Sequence, residues 1–386
     1  MATSAPRRAE RGPAVAGVEI AAGSVRVVVG RREERRLRVL GAAAAPLREG
    51  AVSGGLVVDR GAVGQGIAAA LALAEGRDRV ARVLLALDGD DIRTYHVATS
   101  FERQSAEDPI QPAEVQRAMR EAREDAARIA QSASADDPAL RGIATVQLEA
   151  ETAGFLLDGR ALDSLEGFHG RAVVVHTDVA LAPLLHSGAA SGALDVAKRR
   201  AGVSSGAYVL GRLLAESGFT DGGILRLGAD LTAYAIVREG RVVATRVFGL
   251  GRDALLERIR RGRAEPGRAA GRPGAAGAGA PVPRSGGEAG AGTGDRLDAG
   301  VWARCVLATN SAIDGQYPAR WYFVGVPDEL VALPRALGEA LAAQRGGSVD
   351  IAPLRAAVAG RVATDGQLHA DHLVAAGAAA LAAELY

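Results

Sequence analysis

Two segments far apart in the chain share one pattern, a strand, a short turn of small residues and a second strand. The first runs from Val15 to Val29 around "AAGS", and the second is "ILRLGADLTAYAIV", Ile224 to Val237. A further strand follows each of them; in the second segment it follows Glu239-Gly240, a two-residue hairpin signal. A fold with two related halves, each opening with such a hairpin, is therefore predicted.

Tight turns of this kind have a possible chemical use. A strand–glycine–strand hairpin can grip a phosphate with its backbone N–H groups. An acidic residue normally stands beside such a turn, because magnesium prefers carboxylate oxygens. In the second hairpin the residue at this position is Arg226. The sequence therefore leaves two interpretations open, a nucleotide pocket and the shell of one.

Composition limits the class of protein. The 386 residues predict two to three domains. A net charge of +1, from 46 basic and 45 acidic residues, gives no overall field for nucleic acid, and no nucleic-acid partner is expected. A single cysteine and the lack of a signal-peptide pattern favour the cytoplasm. The sequence contains no apolar run long enough to predict a transmembrane segment. The shorter run "VAAGAAALAAELY" is expected to be a buried helix.

The order of elements predicts the domain organisation. A clear amphipathic helix over "AEVQRAMREAREDAARIA" lies in a strand–helix–strand–strand unit that interrupts a larger α/β pattern. A run rich in Gly, Pro and Ala lacks apolar periodicity and is expected to be a linker. The predicted parts are a disordered tail at 1–13, a first half at 14–89 and 181–220, an inserted α+β subdomain at 90–180, a second half at 221–260 and 296–386, and a flexible linker at 261–295.

With these features the chain resembles the actin-like ATPase superfamily, and within it the FtsA cell-division family with its pilus-assembly relative PilM. "REGAVSGGLVVDRGAVGQGIAAALALAE" is similar to the family's G-x-x-x-G-x-I-x-D stretch before its first large helix. "FLLDGRALDSLEGFHGRAVVVHTDVAL" is similar to a second family stretch that ends in histidine. The resemblance covers most of the chain outside the tail and linker. It implies an α/β, actin-like (ribonuclease H-like) duplicated fold with an inserted strand–helix–strand–strand subdomain.

The resemblance also implies a site. In such proteins two hairpin turns hold the phosphates of ATP with magnesium, and a later turn holds the adenosine. The family has D-I-G-T-S-K-V, D-I-G-G-G-T-T-D and G-G-G-A, where this chain has "EIAAGSV", "RLGADLTA" and "VGVPDEL". The positions assigned to this vestigial nucleotide cleft are Glu19, Gly23, Ser24, Arg226, Gly228, Thr232 and Gly325.

Several family residues are replaced in these turns. Ala21 and Ala22 stand where the family has Gly and Thr, and the acids that flank the second turn have become Arg226 and Ala233. Losing glycine hinders the approach of backbone to phosphate, and losing acids removes magnesium ligands. A pseudo-ATPase is predicted, with no catalytic residue and no definite metal ligand assigned and with bound ATP and magnesium as the open alternative. Arg226 could pair with a phosphate or form a salt bridge that fills the cleft; Glu19 could be a residual metal ligand or an acid paired with arginine.

The function implied by the resemblance is an FtsA-like scaffold of the cell-division machinery. It would be recruited to the inner face of the membrane by partners such as a tubulin-like division protein, with self-association as a further option. The alternatives are a PilM-like pilus or secretion assembly protein that binds inner-membrane assembly proteins, and an active actin-like ATPase whose polymerisation is nucleotide-controlled. A sugar kinase of the same superfamily would need a catalytic Asp, for which the sequence offered no convincing candidate.

Overall fold

The computed structural model describes residues 12–138, 140–264, 293–310, 317–358, 360–363 and 368–384. The elements up to the end of the inserted unit are β1 (Ala14–Ala21), β2 (Ser24–Glu33), β3 (Arg36–Pro46), β4 (Val52–Ser53), β5 (Leu56–Val57), α1 (Arg60–Glu75), β6 (Val80–Leu87), β7 (Arg93–Glu102), α2 (Pro112–Asp136), β8 (Thr145–Leu157), β9 (Arg160–Leu162) and β10 (Ala172–Pro183).

The remaining elements complete both halves. They are α3 (Leu184–Val196), β11 (Gly202–Ser205), α4 (Gly206–Glu216), β12 (Asp221–Leu227), β13 (Thr232–Arg238), β14 (Arg241–Phe248), α5 (Arg252–Ala264), α6 (Thr293–Asn310), β15 (Arg320–Val324), α7 (Ala332–Arg345), β16 (Asp350–Pro353), α8 (Leu354–Val358), β17 (Val362–Ala363) and α9 (Leu373–Glu384). Short 3-10 turns lie at Asp328–Leu330 and Ala370–His372.

The two main sheets share a five-strand topology, and β17 adds a sixth strand at one edge of the first sheet. The first has the order β11-β6-β1-β2-β3-β17 and the second β14-β13-β12-β15-β16. In each, three consecutive strands form an antiparallel meander, and the first of them pairs in parallel with a later strand, β6 or β15. A further parallel strand, β11 or β16, follows outside it. The duplicated α/β fold predicted from the repeated hairpin is confirmed.

The turn between β13 and β14 shows why local sequence predicts these hairpins well. Arg238 pairs with Arg241, so only two residues form the loop. Both have positive φ, 50° at Glu239 and 72° at Gly240, as a type I′ turn requires. The twist of that turn matches the twist of the strands, and the hairpin forms where the Glu-Gly signal predicted it.

The inserted unit is a four-stranded antiparallel sheet with one helix on its face. Its strand order is β7-β10-β8-β9, and α2 packs mainly on β10 and β7. The side chains that α2 buries completely are Ala122, Ala126 and Ala130, spaced four residues apart. Ile129, next to Ala130 in the same helix, is 38% exposed. These three alanines form a narrow ridge along which α2 contacts the sheet.

Two helices lie between the main sheets. α9 packs on β1, β2 and β6, α4 packs on β12, β13 and β14, and the two helices contact each other. Every residue of α9 from Leu373 to Ala383 is buried, as expected for the alanine-rich segment. The contact with β1 is close, because a Cβ at Gly17 would come within 1.9 Å of the Ala375 carbonyl oxygen. No helix in the described ranges is long and apolar enough to cross a membrane.

Two domain boundaries differ from the sequence prediction. Residues 296–386 were expected in the second half, but Val362 pairs with Leu37 of the first sheet, and α9 packs on that sheet. The expected linker at 261–295 is helical at both ends, where α5 continues to Ala264 and α6 begins at Thr293. Residues 265–292 of that linker and residues 1–11 of the predicted tail lie outside the described ranges.

Candidate functional site

The hairpin turns of the two halves face a shared cavity of about 270 Å³, here called the cleft. The turn between β1 and β2 lines one side, the turn between β12 and β13 lines another, and the residue after β15 lies at the back. Five of the seven sequence-assigned residues line it, and Glu19 lies against one of them, Arg226. The lining residues are Ala21, Gly23, Ser24, Arg26, Arg226, Leu227, Gly228, Ala229, Arg252, Asp253, Val324, Gly325 and Asp371.

The three glycines assigned to the cleft are not equivalent. Gly325 has φ +77°, and a Cβ there would lie 2.5 Å from the Leu227 carbonyl oxygen, so both conformation and space require glycine. Gly228 donates its N–H to the carbonyl of Leu231 at 2.8 Å, which closes the turn on itself. A Cβ at Gly23 would meet nothing within 4 Å. Only the third turn therefore depends strictly on its glycine.

Arg226 forms the centre of the site. Its guanidinium group donates through Nη2 to Glu19 Oε1 and through Nη1 to Asp88 Oδ2, so it bridges two carboxylates of the first half from a strand of the second. All three side chains are buried, with Glu19 only 1% exposed. A second guanidinium, from Arg26, reaches the same Glu19 oxygen at 3.1 Å. These contacts join the two halves across the floor of the cleft.

Burial and charge oppose each other in this cluster. Burial raises the pKa of Glu19 above its usual range, and the guanidinium groups of Arg226 and Arg26 offset only part of that rise. Burial alone would lower the pKa of Arg226, but the carboxylates of Glu19 and Asp88 outweigh it and raise that pKa. The cation is thus held firmly in place, and the two acids depend on it for compensation.

Asp88, the second carboxylate that binds Arg226, was not predicted from the sequence. It follows β6 directly, and its Oδ1 accepts the backbone N–H of Ala207 at 3.1 Å, in the first turn of α4. Gly206 makes room for this contact, since a Cβ there would lie 2.7 Å from both Asp88 carboxylate oxygens. A signal was available: an acid directly after a buried parallel strand lies at the carboxyl edge of the sheet, where ligands bind in open α/β folds.

The loop that contains Gly55, in the family-like stretch "REGAVSGGLVVDRGAVGQGIAAALALAE", packs closely against the backbone of Asp88. Gly55 has φ +80°, and a Cβ there would come within 1.9 Å of the Asp88 carbonyl oxygen. The Gly55 carbonyl lies 3.0 Å from His186 Nε2, and His186 Nδ1 lies 3.1 Å from Asp91 Oδ1. Burial would lower the pKa of His186, but Asp91 and the carbonyl outweigh it and raise that pKa. This loop fixes the segment that carries Asp88.

Thr232 does not line the cleft. It is fully buried, donates its hydroxyl to the Leu250 carbonyl at 2.6 Å and accepts the indole N–H of Trp302 at 3.1 Å. Its hydroxyl therefore ties β13 to the helix and loop behind it. The position matches the family turn in sequence, yet here its polar atoms serve packing within the second half.

The remaining arginines at the cleft also have acidic partners. Arg252 Nε lies 3.3 Å from Asp253 Oδ1, and Arg26 Nη2 lies 4.0 Å from Asp371 Oδ2. For Arg226, the geometry corresponds to the salt bridge, which leaves the cavity of about 270 Å³ beside it, and for Glu19 to the acid paired with arginine. The residues present do not fit magnesium with ATP, because a guanidinium stands between the two carboxylates where a divalent cation would need to be.

A second cavity of about 300 Å³ adjoins the cleft and shares Val324 and Gly325 with it. Its wall is largely apolar, with Phe323, Val326 and Ile351 among the residues that line it. The polar and the apolar cavity thus meet at the third turn.

No profile of a known protein family matches the chain, and no curated protein matches it. Several solved structures do match the fold of this chain. A chain of a PilM–PilN type IV pilus biogenesis complex superposes with a TM-score of 0.59 and 19% identity, over 96% of this chain and 97% of that one. The ethanolamine utilization protein EutJ from Carboxydothermus hydrogenoformans gives 0.44 and 13%, over 95% and 89%. Together with the duplicated sheets, the first match shows that this chain has an actin-like ATPase fold with an inserted α+β subdomain.

Proposed function

We propose that this protein is a PilM-like scaffold of a pilus or secretion apparatus, in which it binds inner-membrane assembly proteins and does not hydrolyse ATP. The bridge from Arg226 to Glu19 and Asp88 carries the second part of this proposal. Phosphoryl transfer by proteins of this fold needs a metal ion beside the phosphates. In this cleft the carboxylates that would attract a metal ion are already neutralised by a guanidinium.

The first part of the proposal is supported by the fold comparison. The match over nearly the whole length of both chains is to a structure described as a pilus biogenesis complex. The division role first suggested by the FtsA resemblance remains a prediction, and the comparison favours its pilus-type alternative. Both roles would use the two-half body as a surface for binding other proteins.

Deletion of the gene in its native host separates these two roles. A pilus or secretion scaffold predicts loss of surface filaments or secreted protein with normal cell length, restored by the wild-type gene. Elongated, undivided cells with intact filaments would instead support the division role. The measurements are electron-microscopic filament counts, assay of secreted protein and cell-length distributions, made on the deletion strain and on the complemented strain.

Calorimetry with Mg-ATP tests the closed cleft. We expect no saturable heat and no phosphate release from the wild-type protein, whereas a saturable response would favour the active ATPase. Arg226→Asp removes the bridging cation and restores the family's acid, so millimolar magnesium should raise the melting temperature of this variant alone. Arg252→Asp, at the rim of the same cleft, is the matched control and should not gain this response. Equal magnesium responses in both variants would contradict the proposed role of the bridge.

A further inference from the structure

The inserted subdomain contains a long groove that the proposed function does not yet use. Its volume is about 930 Å³, near the upper end of the roughly 300–1,000 Å³ typical of ligand sites. It runs between the end of β7, the loop that follows and the first turns of α2. The residues that line this groove are Ser100, Phe101, Glu102, Arg103, Gln104, Ser105, Asp108, Pro109, Ile110, Gln111, Glu114, Val115, Arg117, Ala118, Glu121, Leu165 and Val173.

The groove exists because α2 packs tightly on the sheet only from its third turn onward. Ala122 is fully buried, whereas Ala118, one turn earlier, and Val115, two turns earlier, are only half-buried. Phe101 on the neighbouring strand is half-buried as well, and Ile110 and Leu165 close the floor. An apolar floor is therefore left partly uncovered along the first half of the helix.

The rim of the groove is acidic. Of its charged side chains, Arg103 is used internally: its Nε donates to Glu114 Oε1 at 2.7 Å and its Nη1 to the Gly170 carbonyl at 2.7 Å. This hydrogen bond from Arg103 lowers the pKa of Glu114 and keeps it ionised. Arg117 is exposed and lies 4.0 Å from Glu121. The lining has four acids, Glu102, Asp108, Glu114 and Glu121, against two arginines, and this excess of negative charge favours a basic ligand. Arg171, outside the lining, lies 3.8 Å from the exposed Glu102.

β7, the strand beside the groove, also has backbone N–H and C=O groups that could pair with another chain. β7 is at the end of the strand order of its sheet and pairs only with β10 among the strands that the structure describes, although part of β7 also packs beside β14. An edge strand presents N–H and C=O groups that can pair with an extended segment of another chain. Side chains of such an added strand alternate in direction, so one set would reach the apolar floor and the other the acidic rim.

We propose that this groove docks an extended segment of a partner protein in which basic and apolar residues alternate. The proposal rests on the scaffold function and gives one of its partners a chemical character. The segment would add a strand next to the last residues of β7, place its apolar side chains over Phe101 and Ala118, and bring its cations to Glu102 and Glu121. Because these contacts are partly electrostatic, the affinity would fall as salt concentration rises.

Fluorescence polarisation with the full-length protein tests this docking. The probe is a fluorescein-labelled peptide in which arginine alternates with valine or leucine, and the comparison peptide has glutamate in place of arginine. We expect saturable binding of the basic peptide and none of the acidic one. Glu102→Lys/Glu121→Lys should weaken binding on the order of tenfold, since each substitution removes one attraction and adds one repulsion. Asp195→Lys/Glu329→Lys, with the same change of charge at exposed positions outside the groove, should bind within about twofold of wild type.

A second variant tests the apolar floor of the groove. A truncation tests whether the basic residues 2–11 of this chain occupy the groove instead of a partner. Ala118→Trp fills the groove without changing charge and should abolish binding; if it does not fold, the charge-reversal pair, which alters only exposed side chains, still decides. Deletion of residues 2–11 should leave affinity unchanged. Absence of saturable binding, equal binding of both peptides, or an affinity gain of about tenfold on deletion of the basic tail would overturn the proposal. Loss of filaments on gene deletion is measured separately, so failure of the groove and failure of the scaffold function are distinguishable.

Discussion

Replacing Arg226 by methionine tests the cleft cluster directly. Methionine keeps most of the length of the side chain, so the change removes the charge and five hydrogen-bond donors with little loss of packing. Glu19 and Asp88 would then lie buried and close together without the cation between them. Removing one partner of a buried ion pair typically costs about 3–5 kcal/mol, because the other charge is left uncompensated.

The structure places the expected cost at the lower end of that range. Glu19 keeps the guanidinium of Arg26 at 3.1 Å, and Asp88 keeps the Ala207 N–H at 3.1 Å. We therefore expect a loss of about 3 kcal/mol in the free energy of unfolding near neutral pH, and a melting temperature lower by about 4 °C. Arg252→Met is the control: its pair with Asp253 is largely exposed, so it should change stability by less than about 0.5 kcal/mol.

The pH dependence follows from the sign of the Glu19 shift. Its folded-state pKa is already raised above the ordinary 4.5, and removing Arg226 raises it further. A carboxyl with a raised folded pKa favours folding below its unfolded pKa and loses that contribution as pH rises through the folded value. The deficit of Arg226→Met relative to wild type should thus be larger at about pH 8 than at about pH 5.

Far-UV circular dichroism during thermal and urea unfolding measures these effects. Adding Glu19→Gln to Arg226→Met removes one of the stranded charges and should restore part of the lost stability, with a coupling of about 1–3 kcal/mol between the two sites. A loss below about 1 kcal/mol for Arg226→Met, the same deficit at both pH values, or no rescue by Glu19→Gln would refute the reasoning.

Three further outcomes are expected. Thr232→Val leaves the Trp302 N–H and the Leu250 carbonyl unpaired and should cost about 1–3 kcal/mol in urea unfolding, without changing any response to nucleotide. Gly17→Val forces α9 off the first sheet, and we expect a loss of about 3 kcal/mol or more, or insoluble protein on expression. His186→Gln should cost more at about pH 5.5 than at about pH 8, because the raised pKa of His186 stabilises the fold below 6.5 and that contribution is lost as pH rises; equal costs would contradict this assignment.

Local signals explain what could be predicted from the sequence. The hairpin turn at Glu239-Gly240 follows from backbone conformation alone, and the buried character of α9 follows from its composition. The repeated hairpin also predicted the duplication, because both copies keep the same spacing of strand, turn and strand. These features depend on neighbours in the chain, so a single sequence contains them.

The cleft required information from distant parts of the chain. Arg226 was recognised as the unusual residue, but its two partners are contributed by β1 and by the residue after β6, and nothing in the local sequence links them. Asp88 in particular lies in a stretch with several acids, and only its position at the end of a parallel strand sets it apart. Thr232 illustrates the opposite case, since its match to the family turn is real in sequence while its hydroxyl is used by Trp302.

The return of the C-terminal segment to the first sheet has a consequence for how the protein is made. On the ribosome, β1 to β6 emerge early, but β17 and α9, which cover the edge and one face of their sheet, are synthesised only after β12 to β16. The apolar face of the first sheet therefore stays uncovered until the second half has been synthesised. During that interval it would need protection from aggregation. A fragment that ends before Val362 should be insoluble on its own, and supplying the missing segment as a separate peptide should recover soluble protein.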